Sequence, residues 1–357
     1  MRDDRPAAES DTTGDAGADA GTATNTDTST DARTAVPRRR RRLLRAGAIV
    51  LTAALLLGWA VTRGGAPVGH FTSAEGHDAF FAAYERAMAE LPAPDDVLDL
   101  RTDYGVVRMY RFDGAAPSKE PLVLLPGRAA AAPVFADNLA SLREVRTVYL
   151  IDLLGEPGAS IQSGPVRDDA DQALWLHQAL SQLPEPKVQL LGLSIGGWTA
   201  MNLAIRHPET VAGLILLDPA VTFADLPLEV VLRSIPASVP WFPKSWRDGF
   251  NQWTAGGAPV EDVPVADMIE AGMRHYSLAL PAPTRFTGDQ LEGVRPPVLV
   301  ILAGESVMHD PAEAARVAER TLPRSTVVTY PDASHAVNGE YPREIAADVA
   351  DFVGTAH

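Results

Sequence analysis

Short unbroken runs of Val, Ile and Leu recur along most of this chain, and most are followed by a stretch with apolar residues at helical spacing. "PLVLLPG" (121–127) precedes "VFADNLASL" (134–142), and "TVYLIDLLGEPGAS" (147–160) precedes "DDADQALWLHQALSQL" (168–183). "KVQLLGLS" (187–194) leads into a helical pattern over 195–206, and "VAGLILLD" (211–218) follows. "PPVLVILAG" (296–304) and "STVVTY" (325–330) bracket a helix over 311–322, and a last helix is predicted over 343–353. A strand that is apolar at every position must be covered on both faces, and strands that alternate with helices form parallel sheets. The expected fold class is therefore α/β, a mostly parallel, doubly covered sheet of about eight strands. "HDAFFAAYERAMAEL" (77–91) reads as a helix ahead of it, and "DVLDLRTDYGVVRMYRFDG" (96–114) as a hairpin that breaks at Asp103–Gly105. Residues 221–290 interrupt the rhythm with several Pro and Trp and no strong strand, which suggests an inserted helical cap.

The beginning of the chain has another character. Residues 1–37 are rich in Asp, Thr, Ala and Gly and lack aromatics, so they are expected to be a disordered acidic tail. In residues 38–64, six arginines (38–45) come first, then 17 uncharged residues, 46–62, and then Arg63. That length is at the lower edge for a membrane span. The expectation is an uncleaved anchor with a cytoplasmic N-terminus and the 66–357 domain outside the membrane. The rival is an export signal that is cleaved. Most of the net charge of −15 lies beyond residue 45, and an acidic body repels polyanions, which argues against nucleic acid as a partner. The chain has no cysteine, which excludes disulfides, thiolate metal sites and thiol nucleophiles.

One polar side chain stands at the end of an apolar run. In "LLGLSIGGW" (190–198), Gly192-Leu193-Ser194-Ile195-Gly196 matches G-x-S-x-G, with a strand before it and a helix after it. Glycines are needed there because flanking Cβ atoms would clash in a turn tight enough to lift the hydroxyl above the sheet edge. The N-terminus of the following helix then points at a place where negative charge can develop. The plainer reading of Ser194 is a helix cap.

The stretch from about 97 to 354 resembles the α/β-hydrolase family. "LLPGRAAAAPVF" (124–135) is similar to the segment after the family's third strand, with Pro126 where a histidine is usual. "IDLLGEPGAS" (151–160) and "AIRHPETVAGLILLDPA" (204–220) resemble its later loops. The resemblance implies a nucleophilic Ser194 and an oxyanion hole made by the backbone N–H groups of Arg128 and Ile195. It implies a base at His335, because "YPDASHAV" (330–337) lies between the last strand and the last helix. It also implies an acid after the seventh strand, but "VLVILAGESVMHDP" (298–311) puts Ser306 near that place. Asp310 is the preferred acid and Glu305 and Asp218 are alternatives. Each has a plainer role: Asp310 as a helix cap before Pro311, Glu305 as a solvated loop residue, Asp218 as a structural strand end.

What the resemblance implies is a serine hydrolase cleaving an ester-like bond of a small acyl substrate through an acyl-enzyme, with no metal or organic cofactor. Serine at the elbow argues against the dehalogenase and epoxide-hydrolase branches. Trp241, Phe242, Trp246 and Trp253 are candidates to line an acyl pocket, or else they pack the cap onto the core. An acyltransferase and a non-catalytic binding protein of the same fold are the rival readings. The sequence leaves the oligomeric state open.

Overall fold

The chain divides into two units, Met1–Val61 and Thr62–His357. The computed structural model describes residues 66–355 except 117–118 and 240–241, all within the second unit.

Eight strands form the main path of its sheet. They are β1 (Asp96–Thr102), β2 (Gly105–Phe112), β3 (Leu122–Leu125), β4 (Val148–Ile151), β5 (Val188–Leu193), β6 (Val211–Leu217), β7 (Val298–Ala303) and β8 (Ser325–Tyr330). Their spatial order is β8-β7-β6-β5-β3-β4-β2-β1, and a ninth short strand, Ile161–Gln162, pairs with β2. From β3 to β8 the neighbours are parallel, while β2 runs antiparallel to β1 and to β4. The hairpin between β1 and β2 turns at Asp103 and Tyr104, and Gly105 is required there. Its φ is +148°, and a Cβ would lie 2.0 Å from the Ile161 carbonyl oxygen.

The continuous apolar runs divide their side chains between two cores, as the pleat demands. Val123, Leu190, Leu214, Leu216, Val298 and Val300 join one. Leu122, Leu124, Leu191, Ile215, Leu299 and Ile301 join the other. The first core is closed by α3 (Asp169–Leu180), α4 (Ile195–Arg206) and α8 (Pro311–Thr321). The second is closed by α1 (Ala74–Met88), α2 (Ala136–Arg143) and α9 (Pro342–Thr355). Each large aliphatic side chain buried this way stabilises the fold by about 1.5–3 kcal/mol. Capping follows the sequence signals: the Asp168 carboxylate accepts the Ala170 and Asp171 N–H groups at 2.9 Å and starts α3.

Between β6 and β7 lie α5 (Leu228–Ser238), α6 (Lys244–Thr254) and α7 (Pro264–His275). An ion pair joins the last two. Arg247 is 1 % exposed, and its guanidinium donates to Glu270 through Nε at 2.8 Å and Nη2 at 2.5 Å, and to the Phe242 carbonyl at 2.8 Å. Glu270→Ala would leave that guanidinium buried without its counter-charge. The expected loss is about 3–5 kcal/mol, read as a lower urea midpoint. A loss under about 1 kcal/mol would mean that the pair contributes no more than an exposed one.

The expectation of a membrane anchor and an extracytoplasmic domain is corrected here. Among the described residues no helix is long and apolar enough to cross a membrane. α1, at 15 residues, is about 22 Å long, against about 30 Å of hydrocarbon. The expected anchor, 46–62, and the expected acidic tail lie outside the described residues.

Candidate active site

β5 ends at Leu193 and α4 begins at Ile195, so Ser194 alone makes the corner. Its φ of 53° and ψ of −116° are a conformation that L-residues avoid. The surrounding backbone holds it there. Ser194 N–H donates to the Leu217 carbonyl at 2.9 Å, and its own carbonyl accepts from Gly197, Trp198 and Ala220. The glycines are sterically required. A Cβ on Gly192 would sit 2.4 Å from the Gly196 carbonyl oxygen, and one on Gly196 would sit 2.2 Å from that of Leu125. Both obstacles are backbone and cannot swing aside. Gly196→Ala is therefore expected to cost about 3 kcal/mol or more, measured by urea unfolding, and to remove the corner.

Four non-glycine residues among those described have left-handed backbone: Ala129, Ser194, Asp218 and Val221. All four lie in loops at the carboxyl ends of β3, β5 and β6, the end of a parallel sheet where sites form. Such residues persist only where the surroundings over-determine them, and each costs about 1–3 kcal/mol.

His335 lies in the loop after β8. Its Nε2 is 2.9 Å from Ser194 Oγ, and its Nδ1 is 2.5 Å from Asp218 Oδ2. A carboxylate only accepts, so Nδ1 carries the proton and Nε2 accepts from the serine hydroxyl. The loop is held from several sides. Ser334 donates its N–H and hydroxyl to Glu340 at 2.8 and 2.6 Å, and His335 N–H donates to the Thr254 carbonyl at the end of α6.

The acid touching His335 is thus Asp218, at the end of β6, and not Asp310 or Glu305. Asp310 caps α8, its Oδ1 accepting the Glu313 N–H at 2.9 Å, and it is exposed. Glu305 is also exposed. Asp218 is fully buried; its Oδ1 accepts the Ala303 N–H at 3.1 Å and its Oδ2 the Ser306 hydroxyl at 2.6 Å. Ser306, near the position where the family resemblance implied the acid, therefore serves the acid as a donor. Burial alone would push the Asp218 carboxyl up, but the His309 and His335 imidazoles beside it hold it below the ordinary carboxylate range. The loop signal in "LLDPA" was legible in the sequence, but its convergence on the loop after β7 was not.

Ile195 directly follows the serine, and Arg128 directly follows Gly127 and lines a recess together with Ile195. Ile195 opens α4, so its N–H is one of the amides the helix leaves without a carbonyl. Gly127 abuts the Ser194 side chain, since a Cβ there would lie 3.6 Å from Ser194 Cβ. A residue that sequence reasoning passed over supports this loop. Glu156 is buried, accepts the Ala129 N–H at 3.1 Å and pairs with the Arg128 guanidinium. Burial pushes its carboxyl up, against the pull of Arg128.

A narrow recess beside Ile195 is lined by Arg128, Glu156, Trp198, Leu280, Pro281 and Pro283. Phe242, Trp246 and Trp253 are not among its walls. Trp246 is half exposed and stacks on Phe242 at 4.8 Å, and Arg233 lies 4.6 Å over the Trp253 ring. Trp241 lies outside the described residues. Elsewhere, His177, His207 and Glu209 bring one possible metal-ligand atom each within 4.8 Å of the others. The two imidazoles stack 4.3 Å apart at 15°, so their in-plane lone pairs run side by side instead of converging on one ion.

The family model described as "Alpha/beta hydrolase family" matches residues 122–348. The chain is 26 % identical over 280 residues to a Bacillus subtilis protein called uncharacterized carboxylesterase nap, covering 76 % of this chain and 91 % of that protein. It is 22 % identical over 291 residues to carboxylesterase YbfK of the same organism, covering 79 % and 96 %. The crystal structure of naproxen esterase (carboxylesterase NP) from Bacillus subtilis superposes with a TM-score of 0.71 at 23 % identity, over 78 % of this chain and 99 % of that one.

Proposed function

The chain belongs to the alpha/beta hydrolase family, and from that premise we propose that it hydrolyses carboxylic esters of small acyl substrates, with Ser194 as nucleophile, His335 as base and Asp218 as the acid. The observation that carries the reading is the unbroken relay of 2.9 and 2.5 Å from Ser194 Oγ through the His335 ring to Asp218 Oδ2. Two relatives that match most of the chain are named carboxylesterases.

In the first half-reaction Ser194 Oγ attacks the ester carbonyl carbon while His335 Nε2 takes the hydroxyl proton. The carbonyl oxygen becomes an oxyanion, which accepts hydrogen bonds from the Arg128 and Ile195 N–H groups at the positive end of α4. The carbon–oxygen bond to the leaving alcohol then breaks, and the alcohol takes the proton from the imidazolium. Water repeats the sequence on the acyl-enzyme: His335 accepts its proton, hydroxide adds, and the acid departs as Ser194 regains the proton. Asp218 stabilises the imidazolium and keeps Nδ1 protonated throughout.

The non-catalytic reading drew its weight from the doubtful identity of the acid, and the 2.5 Å contact of Asp218 with His335 weighs against it. The test is labelling by a fluorophosphonate probe, followed by a panel of nitrophenyl esters of increasing acyl length. Stoichiometric labelling at Ser194 with ester turnover is expected. A folded protein that neither labels nor turns over would overturn the proposal.

A further inference from the structure

The acid of the relay carries a second histidine. His309, in the loop between β7 and α8, is 5 % exposed. Its Nε2 lies 3.2 Å from Asp218 Oδ1, on the oxygen that does not touch His335. This nitrogen is shut off from solvent, and its one polar neighbour at hydrogen-bonding distance is that carboxylate oxygen, which it meets off-line. An unprotonated Nε2 would set a lone pair against an anionic oxygen in a dry site. The proton therefore sits on Nε2, and Asp218 Oδ1 is the acceptor it faces.

A carboxylate offers about four acceptor positions, and here each has a claimant. Ser306 Oγ–H and His335 Nδ1–H meet Oδ2; the Ala303 N–H and His309 Nε2 meet Oδ1. Three of these four groups, Ala303, Ser306 and His309, come from the end of β7 and the loop after it, although the acid itself hangs from β6. Asp218 also stands on left-handed backbone, at φ 41°. With one face of the carboxylate undocked, rotation about its last side-chain bond would carry Oδ2 away from His335.

We propose that His309 is a positioning residue for the acid: its Nε2–H docks Asp218 Oδ1 and so keeps Oδ2 aimed at His335 Nδ1. It acts through Asp218 alone and touches neither the serine nor the acyl group. The inference rests on the Ser194–His335–Asp218 reading above. It adds that the loop after β7, which carries no acid against His335, supplies the clamp for the acid of β6.

The test compares His309→Gln with His309→Met. The two side chains are close to one length, and only the amide can donate near the place of the imidazole Nε2. The readouts are kcat and KM on a short nitrophenyl ester, the second-order rate of fluorophosphonate labelling at Ser194, and the melting temperature. His309→Met is expected to lower kcat and the labelling rate about tenfold, the low end for a hydrogen bond to a charged group because the contact is off-line, with KM within about twofold. His309→Gln is expected to stay within about fivefold of the unmodified protein. Equal rates for His309→Met and the unmodified protein would overturn the proposal. So would His309→Gln matching His309→Met at equal melting temperatures. Should His309→Met not fold, His309→Gln decides alone: kcat below about a tenth of the starting value overturns the proposal. Failure of the parent reading looks different, because then the unmodified protein would not label at Ser194.

Discussion

Ser194→Ala is expected to lower kcat on short nitrophenyl esters by about a millionfold and to abolish fluorophosphonate labelling, leaving the melting temperature almost unchanged. The size of the effect follows from what is removed. No other hydroxyl among the described residues is recorded on His335 Nε2, so the variant has nothing for the base to activate. Folding should survive because alanine keeps the Cβ. The backbone that holds the corner, with Ser194 N–H on Leu217 and its carbonyl bound by Gly197, Trp198 and Ala220, does not involve the hydroxyl. Residual turnover above about a thousandth would show that another group attacks the ester.

Asp218→Asn is the second large effect, an expected loss of about ten-thousandfold in kcat. The amide can turn its NH2 toward His335 Nδ1, and the imidazole then moves its proton to Nε2. That nitrogen can no longer accept from Ser194, so the base is lost while the geometry is kept. The comparison with the other two acids is what discriminates. Asp310→Asn should leave kcat within about twofold, since asparagine caps a helix as well as aspartate does. Glu305→Gln should do the same, because its side chain stands in solvent. A larger loss in Asp310→Asn than in Asp218→Asn would sink the assignment.

The same pair of proteins makes a pH prediction. The Asp218 carboxyl is held below the ordinary carboxylate range, with the imidazoles outweighing the effect of burial. The stability that its ionised form adds is fully present above about pH 4, the ordinary value, and drains away as the pH falls through the depressed one. Melting temperatures from about pH 6 to about pH 3 should therefore fall more steeply for the unmodified protein than for Asp218→Asn. Parallel curves would show that Asp218 has no depressed titration in the folded state.

Much of the fold was legible because it is written in local pattern. The apolar runs at 121–127, 187–194, 211–218 and 296–304 became β3, β5, β6 and β7 with their ends shifted by a few residues. The elbow was legible for the same reason: a glycine two residues either side of a serine, between a strand and a helix, records a steric demand that the structure shows as Cβ clashes of 2.4 and 2.2 Å. The acid was not legible. Asp310 carried the stronger local signal, an aspartate ahead of Pro311, and that signal was true, because Asp310 caps α8. His309, one residue earlier, carried no pattern.

The sequence by itself determined the strands, their burial on both faces and the serine at the corner, since these depend on interactions within about a dozen residues. Only the tertiary structure decided which carboxylate meets the imidazole and what clamps it. Asp218, Ser306 and His335 are separated by 88 and 29 positions along the chain, and they meet because β6, β7 and β8 lie side by side in parallel register and end together. Strand pairing sets that convergence, and a residue's immediate neighbours along the chain do not report it.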